Sequence, residues 1–464
     1  MKILKFTIGI VCALALTTGC TESYIEGYDV SPNDPSVVPE ANLLTAAEVA
    51  LFGNVTGEMA RETSVFMQSQ AGLKDQSLEE HARYRIFEGD NQNDWESIYT
   101  DWLDPACDLI DKAEGINPYY KGIGLILKAW AGAYTSDIWG DIPFSQAIKG
   151  LENLNPEYDT QEMVYQQAQN LLSQAITELS KPESANLLLP GSDDLIFEGD
   201  AEKWIKLAWT LKARYFNRVS KHYAYSADSV LYCLQFGMTE EADNAMAVFG
   251  ETANNANQWY AFYVLRPGYM GMGAYLVDRL KANSDPRLPF YCAEDANGNY
   301  TPSGIDTRTP VLDASEIGPL FNASAQPVPL VTSFEAKFLE AEAQLRKGSN
   351  DLAAQACNDG IKASVLWATG ADAPEEFVTA IASLTATDIN LETIILNKYD
   401  AMFTQLEVWT DWRRTGYPVL TPNPDPLANQ NGIPFRYPTC ISERNYNSNA
   451  IVVNNNYIKP WFAE

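Results

Sequence analysis

The chain has 464 residues, a formal net charge of −29 and 46% hydrophobic residues, with aromatics at 11%. So acidic a protein repels nucleic acid and anionic membranes, while its apolar and aromatic content is that of a packed globular protein and excludes an acidic disordered chain. Seven cysteines at 12, 20, 107, 233, 292, 357 and 440 include no CxxC and no Cys/His cluster, so metal-ligand spacing is absent.

Residues 1–19 carry Lys2 and Lys5, then an apolar run from Phe6 to Leu16, then Thr17-Thr18-Gly19 before Cys20. The run is too short for a membrane span, which needs about 20 residues, and small residues before a cysteine suit a lipoprotein processing site. Cys20 is therefore expected to be the acylated mature N-terminus, although Thr17 stands where such motifs usually carry leucine. An ordinary secretory signal is the alternative, but its small-residue cleavage site is missing. Loss of two lysines leaves 30 bases against 61 acids, a mature charge of −31. Cys12 is lost and Cys20 acylated, so five cysteines remain. That odd number excludes a complete disulfide framework, and Cys107 and Cys357, in helical apolar patterns, read as small buried hydrophobes. Residues 20–39, with four acids, three prolines and no base, read as a tether unable to fold alone.

From residue 40 to 464 the pattern is that of one mainly α domain. Apolar residues recur at three and four spacing in 44–69, 95–115, 120–136, 161–180, 201–220, 334–347, 351–367 and 390–412. Trp204, Leu207, Ala208 and Leu211 place a small residue on an apolar face, where a second helix approaches closely. Ala341 and Ala353, with Gly348-Ser349-Asn350 between them, have the small-residue spacing of a tetratricopeptide-like pair. A generic antiparallel helix pair fits one unit equally well, but several such pairs favour stacking. Between about 245 and 330 helical period fades and a loop-rich excursion is expected, with Asn297-Gly298 as a tight hairpin supplying minor β content. Asp295-Ala296-Asn297-Gly298-Asn299 lacks the glycine and glutamate positions of a calcium loop.

Several motifs in order carry a resemblance: Ser31-Pro32-Asn33-Asp34-Pro35, Asp137-Ile138-Trp139-Gly140-Asp141-Ile142-Pro143-Phe144, Asp285-Pro286-Arg287-Leu288-Pro289 and Phe338-Leu339-Glu340-Ala341-Glu342-Ala343. Trp409-Thr410-Asp411-Trp412-Arg413-Arg414-Thr415-Gly416-Tyr417-Pro418 and Ile433-Pro434-Phe435-Arg436-Tyr437-Pro438 follow. With the lipoprotein signal they make the mature chain resemble the SusD/RagB family of outer-membrane lipoproteins, in its compact SusD-like branch. The resemblance implies a lipid-anchored, non-enzymatic binding protein on the extracellular side of the outer membrane. It also implies a SusC-like TonB-dependent transporter as partner, oligosaccharides or in some members peptides as ligand, no cofactor, and a tetratricopeptide-like helical scaffold whose loops build the ligand site.

A sugar ring offers an apolar C–H face and a fringe of hydroxyls, so its site wants flat aromatics with amides, carboxylates or arginine at the rim. Such side chains cluster at Asn257, Gln258, Trp259, Tyr260, Tyr263 and Arg266, beside Asn254 and Asn255. The competing reading is a loop whose aromatics plug the scaffold. The resemblance adds Gln68, Asn91 and Trp95 in the N-terminal third, where Trp95 reads equally as the first core residue of a helix. Trp139-Gly140-Asp141 reads as a helix-ending turn, and Arg413 and Arg414 as scaffold arginines paired with carboxylates and stacked on aromatics. Glu340 and Glu342 read as solvated or paired on opposite helix sides. Two histidines, His81 and His222, sit beside no nucleophile, and GxSxG, Walker A, HExxH and GxGxxG motifs are absent. Binding is favoured over catalysis or a pure repeat scaffold.

Overall fold

A computed structural model describes residues 38–464. The signal, Cys20 and most of the tether lie outside the described residues. The first periodic stretch forms two helices, α1 (Glu40–Thr56) and α2 (Glu58–Phe66), followed by strand β1 (Gln70–Gly72). The chain passes Gly57 so tightly that a β-carbon there would lie 2.2 Å from the Gly53 carbonyl oxygen, which breaks the single helix expected over 44–69. The stretch 95–115 is also divided: α3 (Gln92–Ser97) and α4 (Asp104–Ala113) flank a six-residue π-turn, Ile98–Leu103.

Helices α5 (Pro118–Trp139), α6 (Gln161–Leu179), α7 (Ala201–Arg218) and α8 (Ser226–Leu234) then stack in chain order, each against the one before. Thr160 caps α6 and Asp200 caps α7, their side-chain oxygens accepting from first-turn N–H groups. Helix α5 ends at Gly140, as expected, and Arg436 hydrogen-bonds the carbonyl of Trp139 there.

The excursion contributes β2 (Ala245–Ala247), α9 (Gln258–Leu265), β3 (Met270–Met272), α10 (Ala274–Ala282), the short α11 (Leu288–Tyr291) and β4 (Val328–Val331). The β content is small, as expected, but it takes the form of two long-range antiparallel pairs: β1 with β3, where Gln70 faces Met272, and β2 with β4. Asn297-Gly298 is a turn closed by Asp295, whose carboxylate accepts from the Asn297 and Asn299 amides.

After the excursion α12 (Ser333–Arg346) returns to α8 and pairs with α13 (Asn350–Thr369), which extends the helical array. Ala208, Ala341 and Ala353 are fully buried, consistent with close helix crossings at small side chains. Helices α14 (Glu375–Ile381), α15 (Leu391–Ala401), α16 (Glu407–Thr415) and α17 (Ile441–Tyr446) complete the order. The stretch 390–412 splits at Thr404, whose φ of 76° interrupts the helix.

A network of buried charges joins the array. Arg214 holds Glu335 through bonds of 2.7 and 2.6 Å, while Arg218 bridges Asp137 at 3.0 Å and Glu407 at 2.8 Å. Arg414 reaches Glu342 at 2.7 Å and Asp411 at 2.9 Å, and Lys398 meets Asp411 at 2.7 Å. Arg413 stacks over Trp409 at 3.5 Å. Helices α5, α7, α12, α15 and α16 are thus tied together, with Asp137, Glu342, Asp411 and Arg414 of the sequence motifs joined to Arg214, Arg218, Glu335, Lys398 and Glu407 from outside them. Arg287 makes two bonds to Asp285, at 2.9 and 2.6 Å, and a third at 2.8 Å to Ser364 of α13, which anchors the excursion to the array. Cys107, Cys233, Cys292, Cys357 and Cys440 are unpaired, Cys107 half-buried and the rest buried. No helix among the described residues is long and apolar enough to cross a membrane.

Candidate functional site

Pairing of β1 with β3 brings the N-terminal third against the excursion and opens a cavity of ≈ 630 Å³ between them, within the range of roughly 300–1,000 Å³ typical of small-molecule sites. Its floor is Val65, Gln68, Gln70, Ala71 and Gly72. Tyr275, Asp278 and Arg279 of α10 form one wall, Ser303 to Thr307 another, and Val419 and Thr421 the rim. The approach of the two halves is very close: a β-carbon on Gly273 would lie 2.1 Å from the Gln68 carbonyl oxygen, so only glycine fits there.

Two lining residues, Gln68 and Tyr84, hold φ values of 60° and 57°. A left-handed backbone at a non-glycine residue costs on the order of 1–2 kcal/mol and persists only where its surroundings enforce it. At Gln68 the enforcement is visible, since its side-chain amide donates to the Thr421 carbonyl at 2.7 Å. Tyr84 is buried, and burial pushes its phenol up to about 12 despite the Asn423 amide at its oxygen. The wall at Thr307 is pinned by Asp425, which accepts from the Thr307 hydroxyl at 2.7 Å and from Arg83 at 3.1 Å.

Tyr275 is half-buried and meets Tyr399 edge to face at 5.5 Å. Arg279 makes bonds of 2.8 and 2.6 Å to the buried Asp400. Burial opposes the charge on Arg279, but the hydrogen bonds and attraction of Asp400 outweigh it and hold the guanidinium above its ordinary pKa. Asp278 is exposed at the mouth. The cavity thus combines a ring, a fixed cation, a carboxylate, an amide and hydroxyls over an otherwise apolar lining, the arrangement that a sugar or a short peptide demands.

Of the residues expected to bind ligand, Gln68 alone lines this cavity. The others correct the expectation or lie elsewhere. Trp259 is fully buried against Phe403 and offers no face for stacking. Tyr263 is buried and donates to Gln70 at 2.8 Å, supporting the floor from behind. Asn257 is a buried helix cap: its oxygen accepts from the Trp259 and Tyr260 amides, and its amide donates to the Gln326 carbonyl at 2.7 Å. Asn91 is buried and bonded to Pro438, and Trp95 is buried with its ring 5.2 Å from Trp139 and 4.8 Å from Tyr99. An amphipathic loop pattern cannot distinguish an aromatic turned toward the scaffold from one turned outward, and here the scaffold took them.

Tyr260 is partly exposed and Arg266 exposed, with the latter's guanidinium 5.7 Å from the Tyr269 ring. Gln258, Asn254 and Asn255 line a second, smaller cavity of ≈ 300 Å³ with Phe52 and Phe249. Sequence reasoning missed Tyr84, Tyr275, Arg279, Ser303 and Thr421, which come from separate segments and share no local motif.

Residues 32–438 match the model of the SusD-like family, described as starch-binding and associating with the outer membrane. Among curated proteins, none matches the chain by sequence. Similar solved structures include a SusD/RagB family protein from Bacteroides thetaiotaomicron, 23% identical with a TM-score of 0.75 over 92% of this chain and 99% of that one. A chitin-binding SusD homolog from Flavobacterium johnsoniae is 22% identical, with a TM-score of 0.78 over 91% and 99% of the two chains. A SusD homolog from Bacteroides fragilis is 21% identical, with a TM-score of 0.75 over 92% and 100%. At these identities the likeness establishes the helical fold with its tetratricopeptide-like pairs.

Proposed function

The chain belongs to the SusD-like family, and on that premise we propose that it is a lipoprotein of the outer membrane, anchored through Cys20 and facing outward, which binds nutrient oligosaccharides in the cavity floored by Gln68 and hands them to a TonB-dependent transporter. It binds without turnover. The observation that carries the reading is the cavity itself, where the Tyr275 ring stands beside Gln68, Asp278 and Arg279. Dispersion and apolar burial against the ring favour the sugar C–H face, while the polar groups replace water on hydroxyls that would otherwise be left unpaired. The chitin-binding protein of the same fold supports a glycan as the ligand class.

Affinity electrophoresis and calorimetry against chitin- and starch-derived oligosaccharides test this reading. Tyr275→Ala should weaken binding about tenfold, the loss expected of one aromatic anchor, and the sugars should be recovered uncleaved. An oligopeptide ligand is the second reading, favoured by Arg279 and Asp278 side by side, which suit a peptide's termini. Tight peptide binding with no measurable glycan binding would select it. Fatty-acid labelling lost in Cys20→Ala checks the anchor, and co-purification of a large β-barrel protein checks the partner.

A further inference from the structure

Glu58 and Glu62 lie one turn apart on α2, and His81 ends the π-turn Ser77–His81 that packs against the same helix. One ligand atom from each of the three lies within 4.8 Å of the others. His81 is only 6% exposed; its Nε2 pairs with Glu62 Oε1 at 2.9 Å, and its Nδ1 has no partner. Leaving that nitrogen buried and unpartnered is unfavourable.

Nε2 and Oε1 need move apart by only about half an ångström to stand as neighbouring ligands of one ion, since tetrahedral metal–ligand bonds of roughly 2.0–2.2 Å put adjacent ligand atoms about 3.3–3.6 Å apart. Other details agree. The Tyr437 hydroxyl donates to Glu62 Oε2 and so turns Oε1 toward His81, the kind of outer support that orients a metal-binding carboxylate. Asp94 is buried, 8% exposed, and leaves Oδ2 without a partner. The Arg61 guanidinium lies over the Phe262 ring at 4.7 Å and is attracted by Glu58, Asp94 and Glu62, so the ion would share these carboxylates with it.

We propose that Glu58, Glu62 and His81 bind a divalent transition metal, Zn²⁺ in the first instance, with the fourth position left open. Imidazole nitrogen with carboxylate oxygen suits zinc, whereas calcium takes oxygen ligands alone. Glu58 is only partly buried and provides the way in. The spacing rules that find zinc sites in sequence do not see this one, because its imidazole comes from a separate turn. Residues 67–76 run between Glu62 and His81, and Gln68, Gln70 and Gly72 among them floor the cavity. The ion would clasp both ends of that floor, a consequence that rests on the cavity being the ligand site. The metal site itself does not.

Protein stripped of metal with a chelator and titrated with Zn²⁺ alone should show one site per chain, a raised melting temperature by linkage, and visible absorption bands when Co²⁺ replaces Zn²⁺. Glu58→Gln, on the partly exposed side, should weaken Zn²⁺ by roughly tenfold or more while leaving the circular dichroism and the metal-free melting temperature unchanged. His81→Gln should abolish the Co²⁺ bands. No stoichiometric Zn²⁺ binding, or one-site binding unchanged in Glu58→Gln, overturns the proposal whether or not His81→Gln folds.

Discussion

The helical array and the cavity side of this molecule are held together by different means. In the array, long amphipathic helices cross at alanines, and their polar interior is closed by matched charges: Arg214, Arg218 and Arg414 each face a buried carboxylate. On the cavity side, three-residue strands, left-handed backbone at Gln68 and Tyr84, and a glycine against a carbonyl do the joining. The first kind of region owes its position to many redundant side chains. The second depends on a few backbone geometries and on lining residues such as Gln68 and Gly273 that hold them.

The contrast can be broken most forcefully in the charge network. Arg414→Leu leaves Glu342 and Asp411 buried with a lost partner, and removing one member of a buried pair typically costs about 3–5 kcal/mol. Chemical denaturation should show a loss of that size, and a change below about 1 kcal/mol would mean that the network is not what holds α12 to α16.

Trp259→Ala brings the same test to the excursion. As a fully buried tryptophan it should cost about 3–5 kcal/mol of stability. A variant that keeps its melting temperature and loses glycan affinity would return Trp259 to the ligand site.

Acid sharpens the comparison further. Burial works against the Asp411 carboxylate, but Lys398 and Arg414 outweigh it and lower its pKa from 3.8 to about 2. The unfolded chain takes up that proton more readily, so the stabilisation is complete above about pH 4 and lost as the pH falls through 2, roughly 2 kcal/mol in all. Denaturation midpoints between pH 5 and 2 should fall accordingly, and Asp411→Asn should flatten that part of the profile.

The smallest effect is expected at Asn257→Ala, which removes the cap of α9 and should cost about 1 kcal/mol. Ligand affinity measured on the folded variant should stay within twofold of the parent, because the side chain binds backbone and not ligand.

Much of this is legible in the residues themselves. Three- and four-residue periodicity marks the helical stretches, and Arg413 and Arg414 are legible as scaffold because an acidic chain offers them carboxylates and aromatics, which the structure supplies in Glu342, Asp411 and Trp409. The turn at Gly140 followed from its place before Pro143. Local pattern failed where the outcome depended on which way an aromatic faced: Trp259, Tyr263 and Trp95 have the composition of a sugar platform and the location of a core.

The amino-acid order by itself determined the acidic charge, the helices, the small-residue crossings and the resemblance of the motifs, since each is written within a few turns of chain. Only the tertiary structure decided the cavity and the Glu58, Glu62 and His81 cluster. Gln68 shares the cavity with Tyr275 through a three-residue strand pair spanning some two hundred positions, and its bond to Thr421 spans still more. So short a strand has no period to read, and its pairing is selected by the packing of everything around it.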